Sequence, residues 1–275
     1  MTCPADGAAL RLHEGALSCT ANPAHRYVFE AGIVRLVPAD RRAAVEDRSQ
    51  GYDADGDAHG WQSPAEDEFK SLPQTGLSGY PEGYWSQQAA ATALLWRFLE
   101  AVRLQNGKLP VGPVGEAAVI GAGMGWLAYG LDVAGYATLA LDARAGSRHG
   151  LGVYPFSRYL RVQADALRLP LARGAFDWVI VQEPLAYFGD EAAQQMVLDQ
   201  ALRALRPGGW IAVMDSLAPS LETNERVSRL LESAGLATLA APRREGWRAR
   251  LLETRDRLAG REPGVPPVLV AQKAK

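Results

Sequence analysis

The stretch Val119-Ile-Gly-Ala-Gly-Met-Gly-Trp126 constrains the fold of this chain more than any other. A short apolar run, Ala117 to Ile120, leads into glycines at 121, 123 and 125, and a helix-like run follows. Glycines in a strand-to-helix turn let the backbone bend tightly and bring a ligand close to the main chain and the helix N-terminus. The next apolar run, Thr138-Leu-Ala-Leu, ends on Asp142, about 20 positions beyond Gly121. Strand, glycine turn, helix, strand and acid make one nucleotide-binding βαβ half, with the carboxylate placed to accept from ribose hydroxyls. Further strands and helices alternate downstream, so the expected class is α/β, with a Rossmann-like, mostly parallel sheet covered by helices.

A dinucleotide fold needs its third glycine at position 126, for close helix–strand packing. Trp126 stands there, and the third glycine falls at 125. A nicotinamide-dependent reductase is disfavoured on this ground and by the lack of a Tyr-x-x-x-Lys pair. The G-x-G-x-G spacing resembles motif I of class I S-adenosylmethionine (SAM) methyltransferases. Three later segments follow in the order of that family. Ala164-Asp165-Ala166-Leu167 ends the third strand, Phe176-Asp-Trp-Val-Ile-Val-Gln-Glu183 resembles motif IV, and Leu202-Arg-Ala-Leu-Arg-Pro-Gly-Gly-Trp210 matches the L-R-P-G-G turn. Each segment alone has a bland reading as a turn or a core strand. Their joint order and spacing favour the family over roughly residues 84–235.

The resemblance implies a seven-stranded sheet with one antiparallel strand and SAM as cofactor. It implies cofactor contacts at Gly121, Ala122, Gly123, Gly125, Asp142, Ala143, Asp165, Ala166 and Gln182. In that scheme Asp142 accepts both ribose hydroxyls, Asp165 receives the adenine amino group, and the Ala166 amide faces a ring nitrogen. Methyl transfer is an in-line displacement that needs alignment and water exclusion more than acid–base help. Glu183 is the best base by position, with cofactor orientation or a helix N-cap as its equal alternative. Tyr84, Trp85 and Tyr187 are candidates for the acceptor side. The Asn-Pro-Pro-Tyr motif of amino-group nucleic-acid methyltransferases is absent, and Gln182-Glu183-Pro184-Leu185 stands in its place. His13, His59 and His149 show no ligand spacing and read as solvated.

Charge narrows the partners. The chain has 29 basic and 31 acidic residues among 275. There is no global basic field to recruit nucleic acid or an anionic membrane. The N-terminus has no signal-peptide pattern, and no apolar run has spanning length. A cytoplasmic enzyme acting on a small or medium-sized molecule is expected, with nucleic acid and membrane unlikely as partners. The alternatives are a ribosomal RNA base methyltransferase and a SAM-binding protein without catalysis. Nothing in the sequence fixes the oligomeric state.

Before the catalytic segment, residues 1–38 read as a small β-rich unit. Cys3-Pro-Ala-Asp6 and Cys19-Thr-Ala-Asn22 have the spacing of two zinc knuckles, each with its second cysteine replaced. This resembles the degenerate N-terminal zinc ribbon of bacterial ribosomal-RNA guanine methyltransferases. Asp6 and Asn22 are poor substitutes for thiolates, so a metal-free hairpin is expected, with Cys3, Cys19 and His25 as ligands otherwise. Residues 39–83 read as a polar linker, part of which packs over the cofactor cleft as a lid. Gly51-Tyr-Asp-Ala-Asp-Gly-Asp57 lacks the final Glu of a calcium loop. Residues 84–275 form the methyltransferase-like domain. Its expected helices lie at about 84–106, 125–134, 147–158, 190–205, 221–234 and 247–259, and its strands at 117–120, 137–141, 160–164, 176–181, 210–214 and 267–271.

Overall fold

A computed structural model of the chain describes residues 1–105, 114–146, 148–153, 158–183, 190–214, 221–239 and 268–274. Its elements in order are β1 (Leu10–His13), β2 (Ala16–Cys19), β3 (Arg26–Glu30), β4 (Ile33–Leu36), α1 (Arg42–His59), α2 (Glu66–Ser71), α3 (Tyr84–Gln105), β5 (Gly115–Ile120), α4 (Trp126–Val133), β6 (Tyr136–Asp142), β7 (Leu160–Ala164), β8 (Phe176–Gln182), α5 (Glu191–Ala204), β9 (Leu205–Met214), α6 (Leu221–Ser233), β10 (Ala237–Leu239) and β11 (Val268–Gln272).

The strands form one sheet in the order β1-β2-β3-β4-β7-β6-β5-β8-β9-β11-β10. From β7 to β10 this is the expected seven-stranded sheet. β5, β6, β7, β8 and β9 run parallel, and β11 is antiparallel to both β9 and β10. The central strands are continuous apolar runs because both faces are covered. Side chains alternate between two cores. Ala117, Val119, Ala140 and Ile180 face one, with Leu95, Leu99 and Leu131 from α3 and α4. Ala118, Ile120, Leu141 and Val181 face the other, with Val197, Leu198 and Ala201 from α5.

The N-terminal strands are joined to this sheet. β4 pairs parallel with β7, in register Val34 to Val162, and extends the sheet at its edge. Ile33 enters one core while Val34 and Leu36 enter the other, so β4 is buried on both faces like the strands beside it. The sequence reads as a small β-rich unit; the long-range pairing depends on an edge that only the folded domain provides.

Three further differences from the sequence reading have local causes. Residues 42–59, read as a polar connector, form an 18-residue helix. Its composition hides it, because Gly51 and Gly56 disfavour helix and Val45 is its one buried large apolar side chain. Gly56 is required by packing, since a Cβ there would stand 2.7 Å from the His149 ring. The three aspartates of the candidate calcium loop thus lie on a helix. The helix expected at 147–158 is reduced, within the described residues, to a single 3-10 turn, Leu151–Val153. Gly150 and Gly152 instead pack against the main chain there, where a Cβ would stand 2.6 Å from Arg144 O and 2.8 Å from Ala145 O. β9 begins at Leu205 rather than Trp210, so the Pro-Gly-Gly segment is an irregular strand start, with Gly208 N–H donating to Lys273 O. Tyr187 and the helix expected near 247–259 lie outside the described residues.

Candidate cofactor and acceptor site

The sheet reverses its winding between β5 and β8, with β6 on one side of β5 and β8 on the other. Ligands of open α/β sheets bind at the carboxyl ends of the strands flanking such a reversal. A cavity of about 360 Å³ lies there. Its floor comes from strand ends: Ile120 and Gly121, Leu141 to Arg144, Ala164 and Ala166, Val181 and Gln182. Its roof comes from α1, through Arg48, Gly51, Tyr52 and Asp55.

The glycine turn shapes the floor. Gly121, Gly123 and Gly125 all have left-handed backbones, at φ +74°, +57° and +89°. At Gly121 a Cβ would come within 2.7 Å of the Gln182 carbonyl oxygen on β8. Main chain therefore approaches main chain here, and only glycine allows it. The next turn residue supplies a donor, as Gly123 N–H bonds to Asp142 Oδ2 at 2.7 Å.

Asp142 is buried and richly satisfied. Its Oδ1 accepts from Arg144 N–H and Nε, each at 2.8 Å, and its Oδ2 accepts from Arg144 Nη2 at 3.1 Å. Burial alone would raise its pKa. The Arg144 charge and the hydrogen bonds from Arg144 and Gly123 outweigh that and hold the carboxyl below its usual range. Arg144 is itself buried, and its guanidinium carbon lies 3.8 Å from the centroid of the Tyr52 ring on α1. The strand-end acid is thus tied to the roof through one arginine, a partner that no sequence pattern marks.

The other acid is held differently. Asp165 is fully buried and caps the short turn after β7, accepting from Leu167 N–H at 3.1 Å. Its Oδ2 accepts from Arg41 Nε at 2.6 Å. Arg41 ends the short turn after β4, so the segment following the N-terminal unit reaches the carboxyl end of β7. Asp165 and Gly125 do not line the cavity, whereas Gly121, Asp142, Ala143, Ala166 and Gln182 do.

Beside the cavity lies a smaller space of about 30 Å³. It is lined by Ala122, Gly123, Trp126, Gln182 and Glu183 from the sheet side, and by Tyr52, Tyr80, Tyr84, Gln88 and His149 from the cover. Stacked rings roof it, with Trp61 4.8 Å from Tyr80 and Tyr80 5.0 Å from Tyr84. Trp85 packs edge-on to Tyr80 and to Trp126 behind this wall. Glu183 is buried, takes φ +49°, and accepts from Gln88 Nε2 at 3.0 Å. Gln182 Oε1 is buried without a hydrogen-bond partner among the described residues.

His149 corrects the sequence reading. It is 2% exposed, and neither ring nitrogen has a hydrogen-bond partner among the described residues. The Asp57 carboxylate lies 3.8 Å from its Nε2. Burial pushes the imidazole below its usual pKa, against the pull of Asp53 and Asp57. A lone histidine after a glycine-rich stretch carries no periodic signal, so only the packing of α1 against it reveals the position.

Residues 116–213 match the family model described as a methyltransferase domain. No curated protein matches the chain. Among solved structures it is similar to a SAM-dependent methyltransferase of Thermotoga maritima, described as a possible histamine N-methyltransferase. That pair shares 20% identity over 65% of this chain and 90% of the other, with TM-score 0.39. A SAM-dependent methyltransferase of Mesorhizobium loti gives 20% identity, 65% and 96% coverage and TM-score 0.40. A phosphoethanolamine N-methyltransferase of Haemonchus contortus, solved with S-adenosyl-L-methionine, gives 15% identity, 66% and 53% coverage and TM-score 0.38. The domain match, which spans the glycine turn, both acids and β8, carries the assignment. The chain holds a SAM-dependent methyltransferase domain, and its reaction is methyl transfer from SAM.

Proposed function

We propose that this methyltransferase domain acts on a small molecule held under the roof formed by α1 and residues 61–85. The observation that carries this is the enclosure of the strand-end cleft by Tyr52, Tyr80 and Tyr84, with Trp61 stacked on Tyr80, beside a cavity of about 360 Å³. Small-ligand sites are concave and mostly apolar, with a few convergent polar groups. Here those groups are Gln182, Glu183, Gln88 and His149.

In this reading SAM lies along the larger cavity. Asp142 takes the ribose hydroxyls, exchanging part of its contact with Arg144 for them, and Ala143 and Ala166 flank the adenosine. Asp165 positions the Ala166 turn and keeps its adenine role as the second expectation. The unpartnered Gln182 Oε1 is an acceptor for the cofactor's amino group. The methyl then faces the smaller space, which at about 30 Å³ admits an acceptor only when the aromatic wall moves outward, and the wall excludes water once the acceptor is bound. Gln88 orients Glu183, and His149 is the second candidate base; its depressed pKa keeps the imidazole neutral at pH 7, as a proton acceptor must be. A base is needed only when the acceptor is protonated at that pH. The setting proposed is cytoplasmic.

Two measurements test this. In a thermal-shift panel, SAM and S-adenosylhomocysteine at about 100 times their dissociation constants stabilise the protein by about 2.7 kcal/mol, and NADH does not. NADH binding without SAM binding would remove the cofactor assignment. In limited proteolysis, cleavage within residues 50–82 falls when S-adenosylhomocysteine is added, because the ligand bridges the sheet to its roof. Methyl incorporation into ribosomal RNA, or tight RNA binding that weakens steeply with salt, would replace the small acceptor with an RNA.

A further inference from the structure

Against the metal-free hairpin expected from Asp6 and Asn22, we propose that Cys3, Asp6, Cys19 and His25 form a zinc site that staples the N-terminal unit. One donor atom from each residue, two sulfurs, a carboxylate oxygen and an imidazole nitrogen, lies within 4.8 Å of the other three. The measured pairs are closer still. Cys3 Sγ is 3.5 Å from His25 Nδ1, Cys19 Sγ is 3.3 Å from Asp6 Oδ2, and His25 Nδ1 is 3.0 Å from Asp6 Oδ2. A tetrahedral zinc ion with ordinary bond lengths separates its sulfur, nitrogen and oxygen donors by roughly 3.3–3.8 Å. The cluster has the size of such a coordination shell.

The fold builds this shell from separated positions. Cys3 and Asp6 lie on the first turn, Cys19 ends β2, and His25 precedes β3. Asn22, the expected fourth knuckle residue, is not a corner; it contacts His25 at Nε2, 3.1 Å away, and leaves Nδ1 facing the cluster. The other donors are oriented in the same way. Tyr27 Oη is 3.2 Å from Cys3 Sγ, Ala21 N–H points at Cys19 Sγ at 3.4 Å, and Ala8 N–H donates to Asp6 Oδ1 at 2.9 Å. Outer contacts of this kind fix the ligands of structural metal sites and offset thiolate charge. Both cysteines are buried and unbridged.

The unit also has a reason to need a staple. Its first three strands expose Leu12, Val28 and Phe29 and bury only Ala16, Leu17 and Tyr27 with the two cysteines, whereas β4 is part of the main sheet. So few apolar groups do not offset the entropy of ordering three short strands, and small units of this kind use disulfides or metals. Two sulfurs with one nitrogen and one oxygen suit a borderline-soft divalent ion, zinc before magnesium or calcium.

The test uses the full chain. Expressed with zinc and dialysed without chelator, it should retain about one zinc ion per chain by elemental analysis. Cys19→Ser should lose that zinc, while Asp6→Cys, which supplies a better ligand, should hold it more tightly against a chelator. Cobalt added to metal-stripped wild-type protein should give the visible and near-ultraviolet bands of a tetrahedral thiolate site, a readout independent of folding of the variants. Absence of both zinc and cobalt bands would show the cluster to be a metal-free hydrogen-bonded group. Zinc content unchanged in Cys19→Ser would place the metal elsewhere. Either result overturns the site.

Discussion

Asp142→Ala weakens cofactor binding by roughly 10- to 100-fold and lowers stability by about 3–5 kcal/mol, the cost of leaving a buried partner charge uncompensated. The carboxylate holds three donors of Arg144 and the Gly123 amide, and both side chains of the pair are at least nine-tenths buried. Loss of the acceptor for two ribose hydroxyls adds roughly 1.5–3 kcal/mol to the binding penalty. No single change within residues 1–40 weakens SAM binding as much. Asp142→Asn keeps the shape and one acceptor oxygen, so it separates lost charge from lost fold. Calorimetric titration with S-adenosylhomocysteine on protein shown to be folded by circular dichroism is the check. Unchanged affinity would mean that the ribose site lies elsewhere. The same pair carries a pH signature. Its folded pKa lies below the unfolded value near 4, so its stabilisation is complete above about pH 5 and is lost as pH falls through the folded value. Wild type should therefore lose its thermal advantage over Asp142→Asn on acidification.

Gly121→Ala should cost roughly 2–4 kcal/mol, near the upper end of point-mutation effects. The left-handed backbone alone disfavours any Cβ by about 1–2 kcal/mol. At this position the added carbon also meets a main-chain oxygen, that of Gln182, at 2.7 Å, and neither β5 nor β8 can move without opening the sheet. The thermal midpoint should fall by about 5–15 °C. Gly174→Ala is the control, since Gly174 has φ +63° with nothing within 4 Å of the added carbon. It should show the backbone cost alone. Equal losses in the two variants would remove the close approach of β5 to β8 as a cause. Because Gly121 and Gln182 both line the cavity, Gly121→Ala should also weaken cofactor binding while Gly174→Ala should not.

The roof of the site was the least legible part of the sequence. α1 has glycines in its interior and a single buried large apolar side chain, so neither propensity nor periodicity marks it. Yet it supplies Arg48, Tyr52 and Asp55 to the cavity and packs Gly56 against His149. The aromatic residues of the cover were visible as too many anchors for a disordered segment. Their assignment to one stacked wall depends on where α1 and α3 dock.

Local pattern determined the catalytic half. The mostly apolar runs at 117–120, 137–141 and 176–181 became β5, β6 and β8 because strands buried on both faces are rich in apolar residues, and 160–164 became β7 with Arg161 and Gln163 buried as polar members. The glycines at 121, 123 and 125 took positive φ because few other residues tolerate it, and Asp142 came to the strand end because the βαβ geometry leaves it there. Long-range pairing decided the rest. The alignment of β4 with β7, the Arg41–Asp165 and Arg144–Asp142 ion pairs and the burial of His149 join residues distant in sequence or held by packing. A period of two or of 3.6 residues says which face of an element is buried. It does not say what that face will meet, because the partner is chosen by docking of whole elements, and that is settled only in the folded chain.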